Sequence, residues 1–99
     1  MTSPPAVLPQ LLELIIGLYE ESDAFLEETG DAQLWYNRGY ANGVIDGLTQ
    51  LGYREQVATV VTPDKDDVIA GQELLPWGKA YGHGFEKGRH ETFEVLEDG

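Results

Sequence analysis

The sequence predicts an all-α fold, a small three-helix bundle that opens with a helical hairpin. Apolar residues recur with helical spacing in three segments, strand-like alternation is confined to one short stretch, and glycines stand where helices are expected to end. A chain of 99 residues is the size of one domain. We therefore expect a single helical domain over 1–99, with flexible ends at 1–6 and 97–99.

The first predicted helix covers about 9–28. Its apolar residues follow the spacing of one helical face: Leu8, Leu11, Leu12, Ile15, Leu18, Tyr19 and Leu26. Gly30 is placed to end this helix with a left-handed cap. Gly17, in the helix interior, is locally unfavourable and predicts a close helix crossing.

The second predicted helix covers about 32–51. Asp31 precedes it and is suited to cap its first N–H groups, and Gly52 is placed to end it. Because few residues separate the first two helices, they are expected to form an antiparallel hairpin.

A long irregular connection is expected over about 53–72. The stretch "QVATVV" alternates like a strand, so the sequence leaves 53–61 open between strand and irregular chain. One or two helical turns are expected near Pro63 to Ala70, where the aspartates at 64, 66 and 67 are interpreted as helix caps. A calcium loop is not favoured, because the glycine and later ligands of an EF-hand are missing.

The third predicted helix covers about 73–95, with Pro76 tolerated in its first turn. A shift of 41 residues superimposes part of the second helix on it, matching Tyr36 with Trp77, Tyr40 with Tyr81, Gly43 with Gly84 and Gly47 with Gly88. We interpret this pattern as an internal repeat.

The glycines of the two repeats cost helix stability, at about 0.8 to 1 kcal/mol each, so some contact must offset them. One interpretation is that the two glycine-bearing helices pack against each other or against the first helix. The other is that the glycine and aromatic residues form an interface with a second copy or a partner: Tyr36, Gly39, Tyr40, Gly43, Gly47, Trp77, Tyr81, Gly84 and Gly88.

Charge and composition restrict the function classes. Eighteen acidic residues against six basic ones give a net charge of −12, which argues against direct binding to nucleic acid or anionic membranes. The N-terminus has no basic signal-peptide region, its apolar run is too short to span a bilayer, and cysteine is absent. We expect a cytoplasmic protein without a cofactor, whose partner is another protein, most easily a basic one.

Catalytic and metal-binding patterns are weak. His83, Glu86 and His90 share one face of the third helix, with Glu94 beyond them, but their spacing matches neither zinc-protease nor di-iron motifs. A metal-dependent enzyme would need these residues to converge with carboxylates of the first helix. No nucleotide-binding loop or activated nucleophile is recognisable, so no enzyme is expected.

The preferred function is a non-catalytic helical interaction module that self-associates through its glycine and aromatic faces and binds another protein. The alternative is a decoy inhibitor, of the kind found in phages and mobile elements, that imitates nucleic-acid phosphates and occupies a DNA-binding protein. Its acidic residues would be Glu13, Glu20, Asp23 and Glu27, in a run without any Lys or Arg.

Overall fold

The computed structural model describes residues 6–65 and 67–97. The elements, in chain order, are α1 (Val7–Glu21), a short 3₁₀ turn (Phe25–Glu27), α2 (Ala32–Gln50), α3 (Arg54–Ala58) and α4 (Pro76–Glu97). Strands are absent from the described residues. The all-α prediction is confirmed, with three long helices and one short one.

The predicted hairpin is present. The hydroxyl of Tyr19 in α1 donates to the side chain of Asn42 in α2, and Arg38, one turn earlier in α2, donates to the hydroxyl of Ser22, beyond the end of α1. Residue numbers thus rise along one helix as they fall along the other, so α1 and α2 are antiparallel.

Local signals set both ends of α2. The carboxylate of Asp31 accepts a hydrogen bond from the backbone N–H of Leu34 at 3.1 Å, as predicted for a cap. At the other end Gly52 has a positive φ of 97°, and the N–H of Tyr53 donates to the carbonyl of Leu48 at 2.8 Å. This bonding pattern is a Schellman cap, which explains why the helix ends where glycine was predicted to end it.

The first helix ends earlier than predicted. α1 stops at Glu21, and the chain turns so that Phe25 is buried against Trp35, with ring centroids 4.9 Å apart. Leu26, predicted on the apolar face, is instead 46% exposed. The edge-on contact of these rings and the hydrogen bond from the indole of Trp35 to the carbonyl of Glu28, at 3.1 Å, are tertiary interactions that override helical periodicity.

Two glycines of the first segment do not have their predicted roles. Gly30 is not a left-handed cap, because the described residues with positive φ are Gly52 and Gly71. Gly17 is not at a helix crossing, because a Cβ atom there would meet nothing within 4 Å.

The connection between α2 and α4 also differs from expectation. Its helix is α3, Arg54–Ala58, so 53–61 is neither a strand nor wholly irregular, and Pro63 to Ala70 contains no helix among its described residues. Asp64 caps no helix and binds side chains of α2, Asp67 lies in a turn, and Asp66 is outside the described residues. α4 was expected at about 73–95 and instead runs from Pro76 to Glu97. Of the predicted flexible ends, Ala6 and Glu97 are described, and residues 1–5 and 98–99 lie outside the described residues.

The two repeat-bearing helices, α2 and α4, pack directly on each other. Gly39 lies against Tyr81, Gly43 against Phe85, and Gly47 against Thr92. Residue numbers rise together along this contact, so α2 and α4 are parallel, and the connection from 51 to 75 returns along the length of the bundle.

The core has two parts. One lies between α1, α2 and α3 and is built on buried Leu8, Ile15, Val44, Ile45, Leu48 and Val57. The other is an aromatic cluster near the first turns of α2 and α4, built on Phe25, Trp35, Ile69 and Tyr81. Burial of such large rings is worth several kcal/mol, so this cluster also fixes Ile69 and the connection that carries it.

Candidate binding surfaces

A polar cluster is buried where α1, α2 and the connection before α4 meet. The guanidinium of Arg38, only 7% exposed, donates twice to the carboxylate of Asp64, from Nε at 2.8 Å and from Nη2 at 3.1 Å. It also lies 3.6 Å above the ring of Tyr19 and donates to that residue's carbonyl at 3.1 Å. A planar guanidinium suits this combination of a paired carboxylate and an aromatic face.

Asn42 joins this pair to α4. Its amide donates to Asp64 at 2.9 Å and to the hydroxyl of Tyr81 at 2.8 Å, and its carbonyl accepts from the hydroxyl of Tyr19. That hydroxyl in turn accepts from the backbone N–H of Asp64 at 3.1 Å. Among the described residues no buried side-chain N or O lacks a partner. The cluster therefore fixes the connection to both helices.

The charges of this cluster are stable near neutral pH. Burial works to raise the pKa of Asp64, but the hydrogen bonds from Arg38 and Asn42 outweigh it and hold that pKa below its usual value. Burial is also the main reason that the pKa of Tyr19 is raised to about 12. Asp64 is thus ionised and Tyr19 protonated at pH 7, which suits a structural cluster and not a general acid or base.

The glycines of the predicted interface lie inside the monomer. A Cβ at Gly43 would stand 2.8 Å from the carbonyl carbon of Phe85 and 2.9 Å from the amide nitrogen of Arg89. Gly84 faces the backbone of Tyr36 and Tyr40 in the same way. Each of these glycines lies over a backbone hydrogen bond of the facing helix. Gly39, Gly43, Gly47, Gly84 and Gly88 are all buried by this contact.

The aromatic members of the predicted interface are divided. Tyr81 is buried, whereas Tyr36, Tyr40 and Trp77 are half-buried. The hydroxyl of Tyr40 donates to Glu91, and burial followed by this hydrogen bond raises the pKa of Tyr40 to about 12. Self-association stays a prediction, and in this fold it would use the outer parts of Tyr36, Tyr40 and Trp77 and not the glycines.

A different surface is formed by α1 and the 3₁₀ turn. We call it the acidic face and define it by exposed carboxylates that include the four predicted ones: Glu13, Glu20, Glu21, Asp23, Glu27 and Glu28. Glu13 and Glu20 are seven residues apart, so they share one side of α1 with about 10 Å between them along the axis. In the described part of the chain none of these carboxylates forms an ion pair, and the ion pairs present involve other residues.

The metal-ligand candidates of α4 lie on an exposed side of that helix. His83, Glu86 and His90 all lie in solvent, and His90 contacts Glu94 at 2.9 Å, a pair that is ionic when the imidazole is protonated. The carboxylates of α1 do not join them. Within residues 6–65 and 67–97 no three His, Asp or Glu side chains form a group suited to a metal ion.

An open cleft lies on the side of α2 and α4 that α3 and the connection border. The cleft has a volume of about 1060 Å³. Asn42, Asp64 and Tyr81 of the polar cluster are among the residues that line it. Neither the cleft nor the polar cluster was predicted from the sequence. Arg38 is the one charged residue among the buried residues of α2, and it was the only signal for the cluster. The cluster itself was not predicted, because the partner Asp64 is 26 residues away in the sequence.

Comparisons with protein-family models, curated proteins and solved structures found no match to this chain. Among the helices described, none combines the length and the apolar character that crossing a membrane requires.

Proposed function

We propose that this protein is a non-catalytic interaction module that binds a basic partner protein through its acidic face. The observation that carries this proposal is the set of six exposed carboxylates on α1 and the 3₁₀ turn, without an ion-pair partner among the described residues. Glu13 and Glu20 are separated by about one Debye length, roughly 10 Å, and like charges at such spacing build a local potential that attracts a cationic surface.

Some carboxylates outside the acidic face are already paired within the chain, which makes them weaker sites for a basic partner. The carboxylate of Asp64 is neutralised by Arg38 in the interior, and Glu91 lies 3.6 Å from Lys87 on α4. The six carboxylates of the acidic face form no ion pair within the described residues, so this face offers a basic partner several contacts at once.

The test measures binding of a lysine-rich peptide by calorimetry, at low and at physiological salt. The variant Glu20→Gln, Asp23→Asn, Glu27→Gln removes three charges from the acidic face. The control Glu55→Gln, Asp67→Asn, Glu94→Gln also removes three negative charges, from exposed positions outside the acidic face.

Three lost surface contacts at about 0.5 to 1 kcal/mol each predict a loss of affinity of about 10- to 100-fold. The control is expected to lose less than about threefold. Equal losses in the two variants would show that only net charge matters, and the proposal would then be abandoned.

A second candidate is the decoy, in which the partner is a DNA-binding protein and the acidic face occupies its nucleic-acid site. The exposed run without a basic residue favours it, because a phosphate backbone also presents closely spaced negative charge. A decoy competes with duplex DNA for its partner, whereas an ordinary interaction module binds without displacing DNA. Competition binding with a labelled duplex separates the two.

A further inference from the structure

One glycine of α4 has no contact that explains it. In α2 and α4 the other glycines pack against atoms of a neighbouring segment, whereas a Cβ at Gly82 would meet nothing within 4 Å. Glycine is among the poorest residues for a helix, and at Gly82 the missing side chain leaves the backbone of α4 open to close approach from the cleft. The described part of this chain supplies nothing there, and Gly82 lines the open cleft.

The lining of the cleft combines an apolar surface with charged groups. Its apolar part consists of half-buried Phe85 and of Ile45, Val57 and Ile69, core residues that lie at the floor of the cleft with less than a tenth of their surface exposed. A volume of about 1060 Å³ is at the upper end of the range for small-ligand pockets, so it accommodates several side chains of a larger partner.

The charges differ between the walls. The helices contribute Asp46 from α2 and Glu86 from α4, and neither forms an ion pair within the described residues. Glu86 is one turn after Gly82, on the same side of α4. α3 and the connection contribute charges of both signs, Arg54 and Lys65 together with Asp64 and Glu73. The wall nearest Gly82 is therefore acidic.

We propose that this cleft is a second binding site, which accepts one helix of a partner protein with its apolar face towards Ile45 and Phe85 and its backbone against Gly82. Lysine or arginine beside the apolar face then pairs with Asp46 and Glu86. The contact between α2 and α4 is the precedent, because glycines there allow a second helix backbone to approach directly. The site goes beyond the acidic face and does not depend on it.

The test uses a synthetic 18-residue helical peptide of alanine, leucine and lysine, with leucine at i, i+3, i+4 and i+7 and lysine on both flanks. A second peptide carries glutamate in place of lysine. Binding is followed by the amide chemical shifts of the whole protein. We expect the lysine peptide to shift Ile45, Gly82 and Phe85, and the glutamate peptide to bind at least tenfold more weakly.

The variant Gly82→Leu is expected to fill the approach and weaken the lysine peptide at least tenfold. Gly17→Leu is the matched control, because it replaces a helical glycine that also has open space but lies outside the cleft. If Gly82→Leu does not give a native spectrum, Gly82→Ala tests the same contact with the smallest side chain.

Shifts confined to α1, equal binding of both peptides, or unchanged binding by Gly82→Leu would each overturn the proposal. The variant Glu20→Gln, Asp23→Asn, Glu27→Gln separates the two sites. It is expected to leave the shifts in the cleft unchanged, so the failure of either proposal is distinguishable from failure of the other.

Discussion

Replacement of Gly43 by alanine is the most informative perturbation of this fold. Gly43 lies over the backbone hydrogen bond between Phe85 and Arg89 of α4, and a Cβ would stand 2.8 Å from the carbonyl carbon of Phe85. Ordinary contact begins near 3.4 Å, and the carbonyl oxygen of Phe85 lies closer still than the carbon, so the two helix backbones must separate by clearly more than about 0.6 Å. Neither backbone is able to yield by rotating a side chain.

Two opposing effects determine the magnitude. Alanine improves helix propensity by about 1 kcal/mol, whereas overpacking typically costs about 1 to 3 kcal/mol. Since the clash is with backbone on both sides, we expect the upper part of that range and a net loss of about 2 kcal/mol. For a domain of this size, such a loss lowers the Tm by roughly 8 to 16 °C.

Gly82→Ala is the matched control in α4, because its Cβ has open space. It is expected to raise the Tm by roughly 4 to 8 °C, from the gain in helix propensity alone. Both variants are melted by far-ultraviolet circular dichroism at two protein concentrations. The larger changes Gly43→Leu and Gly84→Leu are expected to act in the same direction as Gly43→Ala.

Two results would refute this reasoning. One is a Gly43→Ala variant as stable as Gly82→Ala, since the close contact would then not exist. The other is a loss that depends on protein concentration, because the contact would then lie between chains and not within one.

Two further predictions concern the cap and the polar cluster. Gly52→Ala is expected to cost about 1 kcal/mol because φ is positive there, whereas Gly30→Ala is expected to be nearly neutral; urea unfolding of both measures this. Asp64→Asn is expected to cost about 2 kcal/mol at pH 7. The hydrogen bonds that lower the pKa of Asp64 stabilise the fold at pH values above 3.8, the ordinary pKa of this carboxyl group. The difference in Tm between Asp64→Asn and the parent should therefore shrink as the pH falls below 3.8. A difference in Tm that stays constant over this pH range would contradict this.

The sequence predicts best what neighbouring residues decide. The bounds of α2 were expected at 32–51 and lie at Ala32–Gln50, because Asp31 and Gly52 act within a few residues of the helix ends. The exposure of Glu13 and Glu20 also follows from local pattern, since both lie away from the apolar residues of α1.

The sequence predicts poorly what distant residues decide. The chain leaves α1 after Glu21 because Phe25 packs on Trp35, and periodicity contains no information about that contact. Asp64 resembles a helix cap until Arg38 is known to lie beside it. Whether the glycines pack within the chain or against a second chain depends on the direction of α4 relative to α2. The repeat alone does not determine that direction.

α2 and α4 are parallel and pack against each other at their glycines, which leaves other surfaces for partners. The chain has no cysteine, so labels are readily introduced at exposed Gln33 in α2 and at exposed Lys79 or Glu94 in α4. Double electron–electron resonance between two spin labels tests the parallel arrangement directly. Parallel helices predict that the Gln33–Glu94 distance exceeds the Gln33–Lys79 distance by about 10 Å or more. A Gln33–Glu94 distance shorter than the Gln33–Lys79 distance would contradict a parallel arrangement of α2 and α4.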